Sequence, residues 1–352
     1  MKPSKRIVLV VAAALLALAG IAVARVVAER VLSAPGPHAA VVRVKVRTGE
    51  SLRSVLGSLA TSGALEQPRM VEAALRLAGR EARVRAGTYD LPARASPGDI
   101  LAQMEEGRVV LESLTVVEGW RFRDLRRALE AHPAVRATQR GRSDGELMAS
   151  LGAAGQHPEG LFFPDTYRFA EGTTDLELLA LARRRMQAEL SAAWAARAPE
   201  LPLRSPYEAL ILASIVEKET GLAAERARIA GVFVARLRRG MRLQTDPTVI
   251  YGLGDGYDGD IRSRDLVTDT PYNTYTRAGL TPTPIALPGT AALRAAAQPR
   301  ITGELFFVAT GDGDGSHRFS RTYEEHQRNV AAMLARQRAG RATAATTNEA
   351  GR

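Results

Sequence analysis

Cysteine is absent from the 352 residues. That removes disulfide bonds, thiolate metal sites and a cysteine nucleophile together. Lysine is scarce: it occurs only at Lys2, Lys5, Lys45 and Lys218, so arginine carries the net charge of +10. A basic balance suits an anionic surface such as a membrane or a cell wall. Aromatic residues make up only 5% and the basic residues are scattered, which argues against nucleic acid as a partner. His38, His132, His157, His317 and His326 show no metal-ligand spacing. The stretch GDGDGSH at 311–317 lacks the Lys-Ser/Thr pair of a phosphate-binding loop. It opens like a calcium loop, but Tyr323 stands where that loop needs a glutamate, so it reads as a turn, with His317 as a candidate ligand contact. There is no Gly-x-Ser-x-Gly nucleophile motif and no internal repeat. No metal and no other cofactor is expected.

The length favours two soluble domains, and 45% hydrophobic residues allow a sizeable core. Residues 7–24 carry no charge and follow Lys2, Lys5 and Arg6; as a helix they span about 27 Å. We expect a cytoplasmic tail at 1–6, a transmembrane anchor at 7–28 and a linker at 29–41. Ala22-Val23-Ala24 resembles a signal-peptide cleavage site, but the run is longer than a usual signal core, so an uncleaved anchor is the reading. Arg25, Arg30, Arg43 and Lys45 follow the span and leave the positive-inside rule weakly decisive. Period-two alternation predicts a strand at 42–47. A helix after Ser51, another at 67–77, a strand at 87–91 and a helix at 96–107 complete a small α/β subdomain over 42–112. A larger mixed α+β domain follows over 113–337. It holds a strand at 111–117, helices at 122–131, 176–195, 206–220 and 224–239, and an irregular stretch at 132–145. Residues 338–352 have no apolar pattern and read as disordered. The fold class is α+β.

The segment ILASIVEKETG at 211–221 joins an apolar run to two carboxylates. Upstream, Ser205, Pro206 and Glu208 form a helix-start signature with a capping box, and Gly221 is a candidate C-terminal cap. The helix has almost no polar face, so it is buried on most sides. Glu217 follows Ser214 by three positions and Leu210 by seven, which stacks it on their face. A carboxyl there is partly desolvated and holds its proton, as a general acid must. A solvated last turn is the plain alternative. Glu219 lies roughly 200° around the helix from Glu217, so the two cannot flank one bond.

Four stretches then occur in a fixed order: EGLFFPDTYRF at 159–169, LASIVEKET at 212–220, GMRLQTDPTVIYG at 240–252, and PYNTY at 271–275 followed by GLTPTPI at 279–285. Together they resemble the YceG-like family. The resemblance implies a single-pass inner-membrane protein with its enzyme domain in the periplasm and with peptidoglycan glycan strands as substrate. It implies cleavage of the β-1,4 bond after N-acetylmuramic acid to a 1,6-anhydro end, which makes the enzyme a lyase, and it assigns catalysis to Glu217. TGESL at 48–52 is similar to the start of the LysM-like subdomain of this family. Peptidoglycan synthases are the partners it suggests, in terminating or trimming nascent strands. Thr281, Leu287 and Ala235 depart from the family pattern without touching the glutamate motif. Glu219, Gln244, Asp246, Tyr251, Tyr272 and Asn273 are candidate substrate contacts, being hydrogen-bonding or stacking types, most of them in loops. Tyr275, Lys218, Glu159 and Asp165 are secondary candidates. Two rivals stand beside this reading. A muramidase that uses water needs a second carboxylate, and a membrane-anchored wall-binding scaffold needs no acid at all.

Overall fold

The computed structural model describes residues 5–350, with side chains for 9–338. Most of the expected tail at 1–6 lies outside the described residues. The chain divides into two compact units, one of 1–113 with 168–172, the other of 114–167 with 173–352. The first unit is therefore discontinuous in sequence, whereas the sequence pattern placed a single boundary at 112–113.

In unit 1, α1 (Lys5–Ser33) is followed by β1 (Val42–Val46), α2 (Leu52–Thr61), α3 (Pro68–Leu77), β2 (Gly87–Leu91), α4 (Pro97–Glu106) and the start of β3 (Leu111–Thr115). β1 and β2 pair antiparallel, with Val44 opposite Tyr89. The alternation in β1 turns Val44 and Val46 inward and leaves Arg43 and Lys45 in solvent. Ser51 caps α2 by accepting the Ser54 N–H, and Ser96 with Asp99 forms a capping box on α4. Val55, Leu59, Tyr89, Leu91, Ile100 and Met104 are sealed in the core between these elements.

α1 is the one helix among the described residues long and apolar enough to cross a membrane. Leu9, Leu15, Leu16, Leu18, Ile21 and Val23 each expose more than half their surface, a pattern that water does not reward. The helix does not stop where the linker was expected at 29. It runs on to Ser33 because its last turns have an apolar partner: Ala28 is buried, and Val31 and Leu32 pack on the unit 1 core.

Unit 2 contains α5 (Phe122–Ala131), α6 (Asp144–Ser150), the start of β4 (Thr166–Ala170), α7 (Asp175–Ala195), α8 (Pro206–Glu219), α9 (Ala223–Arg238), α10 (Asp246–Leu253), α11 (Ser263–Val267), α12 (Thr290–Ala297), β5 (Phe306–Ala309), β6 (His317–Ser320) and α13 (Tyr323–Ala350). β3 and β4 form one two-stranded sheet; β5 and β6 form another as an antiparallel hairpin. The GDGDGSH stretch lies at the turn of that hairpin. α6 begins inside the stretch read as irregular, because Ser143 and Glu146 cap it reciprocally. The tail read as disordered from 338 continues α13 to Ala350, consistent with its alanine and arginine content; its side chains beyond 338 lie outside the described residues.

The core of unit 2 is built around α8, which packs against α7, α9, α10 and α12. Every residue from Ala209 to Val216 is buried. Leu210, Leu212 and Ile215 expose nothing, and each contributes roughly 1.5–3 kcal/mol by leaving water. Ser205 caps the helix as expected, accepting the Glu208 N–H at 3.2 Å. Glu208 does not complete the box: its carboxylate accepts the Arg204 N–H instead. The other end also differs. Thr220 is the extended C-cap, and its hydroxyl accepts the Leu222 N–H at 3.0 Å, so the helix ends without a left-handed Gly221.

Candidate active site

The last turn of α8 carries Glu217 out of the core without releasing it to water: its side chain is 5% exposed. Oε2 accepts the N–H of Gly289 at 2.9 Å. Oε1 lies 3.5 Å from Nη2 of Arg226, which reaches over from α9. The loop that brings Gly289 is pinned to α8 one turn earlier. There the fully buried Ser214 hydroxyl donates to the Ile211 carbonyl at 2.7 Å and accepts the Ile285 N–H at 3.0 Å. A second loop, 118–120, joins the first through Gly119 N–H to Leu287 O (2.9 Å) and Leu287 N–H to Trp120 O (2.7 Å). Lys218 then donates to the Gly119 carbonyl at 3.2 Å.

Burial is the first cause that raises the Glu217 carboxyl above the ordinary carboxylate range. The Gly289 N–H opposes it, the charge of Glu118 adds to it, and Arg226 and Lys218 oppose it. The net shift is toward the protonated form, the direction a proton donor needs.

Glu219 faces the other way. Thr245 donates to it at 2.7 Å, and burial first, with Asp246 adding, raises its carboxyl to about 7. It lines a cavity of about 420 Å³ with Arg236, Gln244, Asp246, Tyr275, His317 and His326, among others. Gln244 is held at φ +50, an unusual conformation for a side-chain-bearing residue. Its carbonyl oxygen accepts from Arg236 at 3.2 Å, leaving its amide N–H groups for another partner. Asp246 accepts the Tyr275 hydroxyl at 2.6 Å, and the Nδ1 atom of His326 is buried without a partner. His317 is committed to Glu225 at 2.7 Å.

Tyr251 and Tyr272 form a third cluster. Their rings lie 4.8 Å apart, Arg121 sits 5.0 Å over Tyr251, and Tyr272 shares a hydrogen bond with Thr283 at 2.9 Å. The Tyr251 hydroxyl donates to Glu159 at 3.1 Å. Glu159 is 4% exposed and also accepts the Phe122 N–H at the start of α5. It is a buried cap rather than a groove residue, and burial pushes its carboxyl up to about 7. Asp165 is an ordinary turn acid that accepts the Thr166 N–H.

The expectation for Asn273 needs correction. It is 1% exposed, its amide donates to the carbonyls of Asp265, Leu266 and Thr268, and its oxygen accepts the Tyr275 N–H. Nothing is left for a substrate. Sequence reasoning in turn missed Glu118, Gly289 and Arg226 as neighbours of Glu217. The turn-forming pairs Glu118-Gly119 and Pro288-Gly289 were the available signals. Among the described residues no group of three or more metal-ligating side chains is poised for an ion.

The YceG-like family model matches residues 44–332, most of the chain. The chain belongs to the YceG-like family. A protein of Bacillus subtilis (strain 168) named endolytic murein transglycosylase is 38% identical over 174 residues, covering 49% of this chain and 47% of that protein. One of Streptococcus pneumoniae serotype 2 with the same name is 28% identical over 281 residues, covering 70% of this chain and 50% of that protein. The chain thus spans about half the length of the curated relatives it matches. A crystal structure of a YceG-like protein from Listeria monocytogenes is 27% identical, with a TM-score of 0.52 over 82% of this chain and 98% of that one. This YceG-like chain therefore has a mixed α+β family fold, with one apolar N-terminal helix suited to a membrane.

Proposed function

We propose that this chain is an endolytic lytic transglycosylase of peptidoglycan, anchored by α1 in the inner membrane with both units in the periplasm. The observation that carries the reading is Glu217: a buried carboxyl at the end of an apolar helix, fixed by the Gly289 N–H and shifted by burial toward its protonated form. Protonated Glu217 gives its proton to the glycosidic oxygen between N-acetylmuramic acid and N-acetylglucosamine as that bond breaks. The carboxylate then takes the proton of the muramoyl C6 hydroxyl while that oxygen bonds to C1. No water is consumed, the acid is regenerated, and the new end is a 1,6-anhydro sugar. The substrate supplies its own nucleophile, which is why one acid serves where hydrolysis uses two carboxyl groups.

The cavity beside Glu219 supports a glycan subsite, where Gln244, Asp246 and Tyr275 offer donors and acceptors to sugar hydroxyls. Unit 1 is read as the LysM-like wall-binding part. Trimming or ending of nascent strands beside peptidoglycan synthases is the setting this chemistry fits. The test is mass spectrometry of the ends released from purified glycan strands by the full chain in detergent, with Glu217→Gln alongside. Anhydro-muramoyl ends that vanish in the variant support the reading. Reducing ends would replace it with a muramidase, and wall binding without cleavage in either protein would replace it with a scaffold.

A further inference from the structure

We propose that Glu118 is a positioning residue for Glu217, a second carboxylate that keeps the proton on the acid against two neighbouring cations. The inference rests on the lyase reading above and concerns the same site.

The placement of Glu118 is built into two loops. Gly119 takes φ +78, and a Cβ at that position would lie 4.0 Å from Cγ of Glu217 and 3.6 Å from Cδ of Lys218. The 118–120 backbone therefore runs directly beside the acid. Its hydrogen bonds to Leu287 bring it to the loop that ends at Gly289. There the Glu118 carboxylate fills the space that the missing side chain of Gly289 leaves, and any Cβ at Gly289 would collide with its Oε1 and Cδ atoms. The N–H of the same glycine serves Oε2 of Glu217. Two carboxyl groups thus converge on one glycine, one sealed at 5% exposure and the other open to water.

The charges facing Glu217 are Arg226 from α9, Lys218 on its own helix and Glu118 from the loop. Both cations and the Gly289 N–H favour the ionised form, which cannot donate a proton. Burial and Glu118 favour the protonated form. A site that needs an acid beside an arginine gains from a compensating negative charge, and Glu118 supplies it from the solvent side. Paired carboxyl groups in contrasting surroundings are a recurring way to separate an acid from its partner.

The test is the pH dependence of the initial rate of glycan cleavage by the full chain in detergent, for the native protein, Glu118→Gln, Glu118→Asp and Gly289→Ala. The alkaline limb reports loss of the proton from the acid. Glu118→Gln should move that limb to lower pH, so the rate at about pH 8 falls several-fold more than the rate at about pH 5.5. Glu118→Asp should restore part of the shift. Gly289→Ala keeps the N–H, at a backbone conformation alanine accepts (φ −83, ψ 177), but its methyl group displaces the Glu118 carboxylate. It should reproduce the shift, and the double variant should add little to it. If one variant fails to fold, the other carries the test. A rate that falls equally at every pH would mean a merely structural Glu118 and would overturn the proposal. Cleavage surviving in Glu217→Gln overturns the acid assignment and this inference with it. Loss in Glu217→Gln with an unmoved limb in Glu118→Gln overturns this inference alone.

Discussion

Glu159 makes the fold itself sensitive to pH. Its carboxyl is raised in the folded protein from 4.5 to about 7, chiefly by burial. Below the unfolded value both states hold the proton and nothing is lost. Between 4.5 and about 7 the folded state binds a proton that the unfolded state has released, so stability falls as pH rises and levels off above that window. At about 1.4 kcal/mol for each pH unit, the loss is about 3 kcal/mol. Glu159→Gln keeps one oxygen to accept the Phe122 N–H and turns its amide N–H toward the Tyr251 oxygen, which can accept as well as donate, while removing the titration. The two proteins should therefore diverge with pH: relative to the native chain, the variant gains about 3 kcal/mol between about pH 4.5 and pH 8. For a unit of this size that is a relative rise in Tm of about 6–12 °C. Thermal unfolding followed by circular dichroism at both pH values reads it directly. Parallel pH dependence in the two proteins would refute the reasoning, since it would mean that Glu159 ionises in the fold as easily as in the open chain.

Three further outcomes follow from the same contacts. Ser214→Ala leaves the buried Ile285 N–H without its acceptor and should cost about 1–3 kcal/mol in denaturant unfolding; glycan cleavage should drop with it, because the loop holding Gly289 loses its pin. Asn273→Ala orphans three carbonyls at once and should destabilise by about 2–4 kcal/mol, seen as a lowered Tm and early proteolysis near 265–277. Tyr275→Phe removes the donor to Asp246 and, if the cavity binds sugar, should raise KM about threefold to tenfold with kcat nearly unchanged; a fall in kcat with KM unchanged would argue against a binding role.

The helices were legible where local chemistry decides them. α2, α4 and α8 announce themselves through serines at their starts, and α8 also through an apolar character that leaves it no surface to show. The acid at its end could be read the same way, because desolvation follows from the residues before it. What surrounds that acid could not. Gly289 comes from 72 residues along the chain, and the Glu118 loop reaches the site only through hydrogen bonds to Leu287. Asn273 shows the opposite failure. A polar amide in a loop looks like a ligand until its loop folds around it and takes every bond it can make. The discontinuous unit 1 was hidden too, since nothing in the sequence of 168–172 marks it as belonging with residues more than fifty positions earlier.

A leash and an axle leave different things free, and α1 is an axle. Its 29 residues reach about 44 Å, against about 30 Å of hydrocarbon in a bilayer. The surplus of about nine residues matches the turns that pack into unit 1. Were α1 to cross a bilayer, the turns packed on the unit 1 core would couple its tilt and rotation to β1 and β2 and to the exposed face of Arg43 and Lys45. With the helix across a bilayer, unit 1 is held at one height and one bearing relative to the lipid. The membrane would then serve as a ruler for it, and a change in bilayer thickness would change where this unit stands.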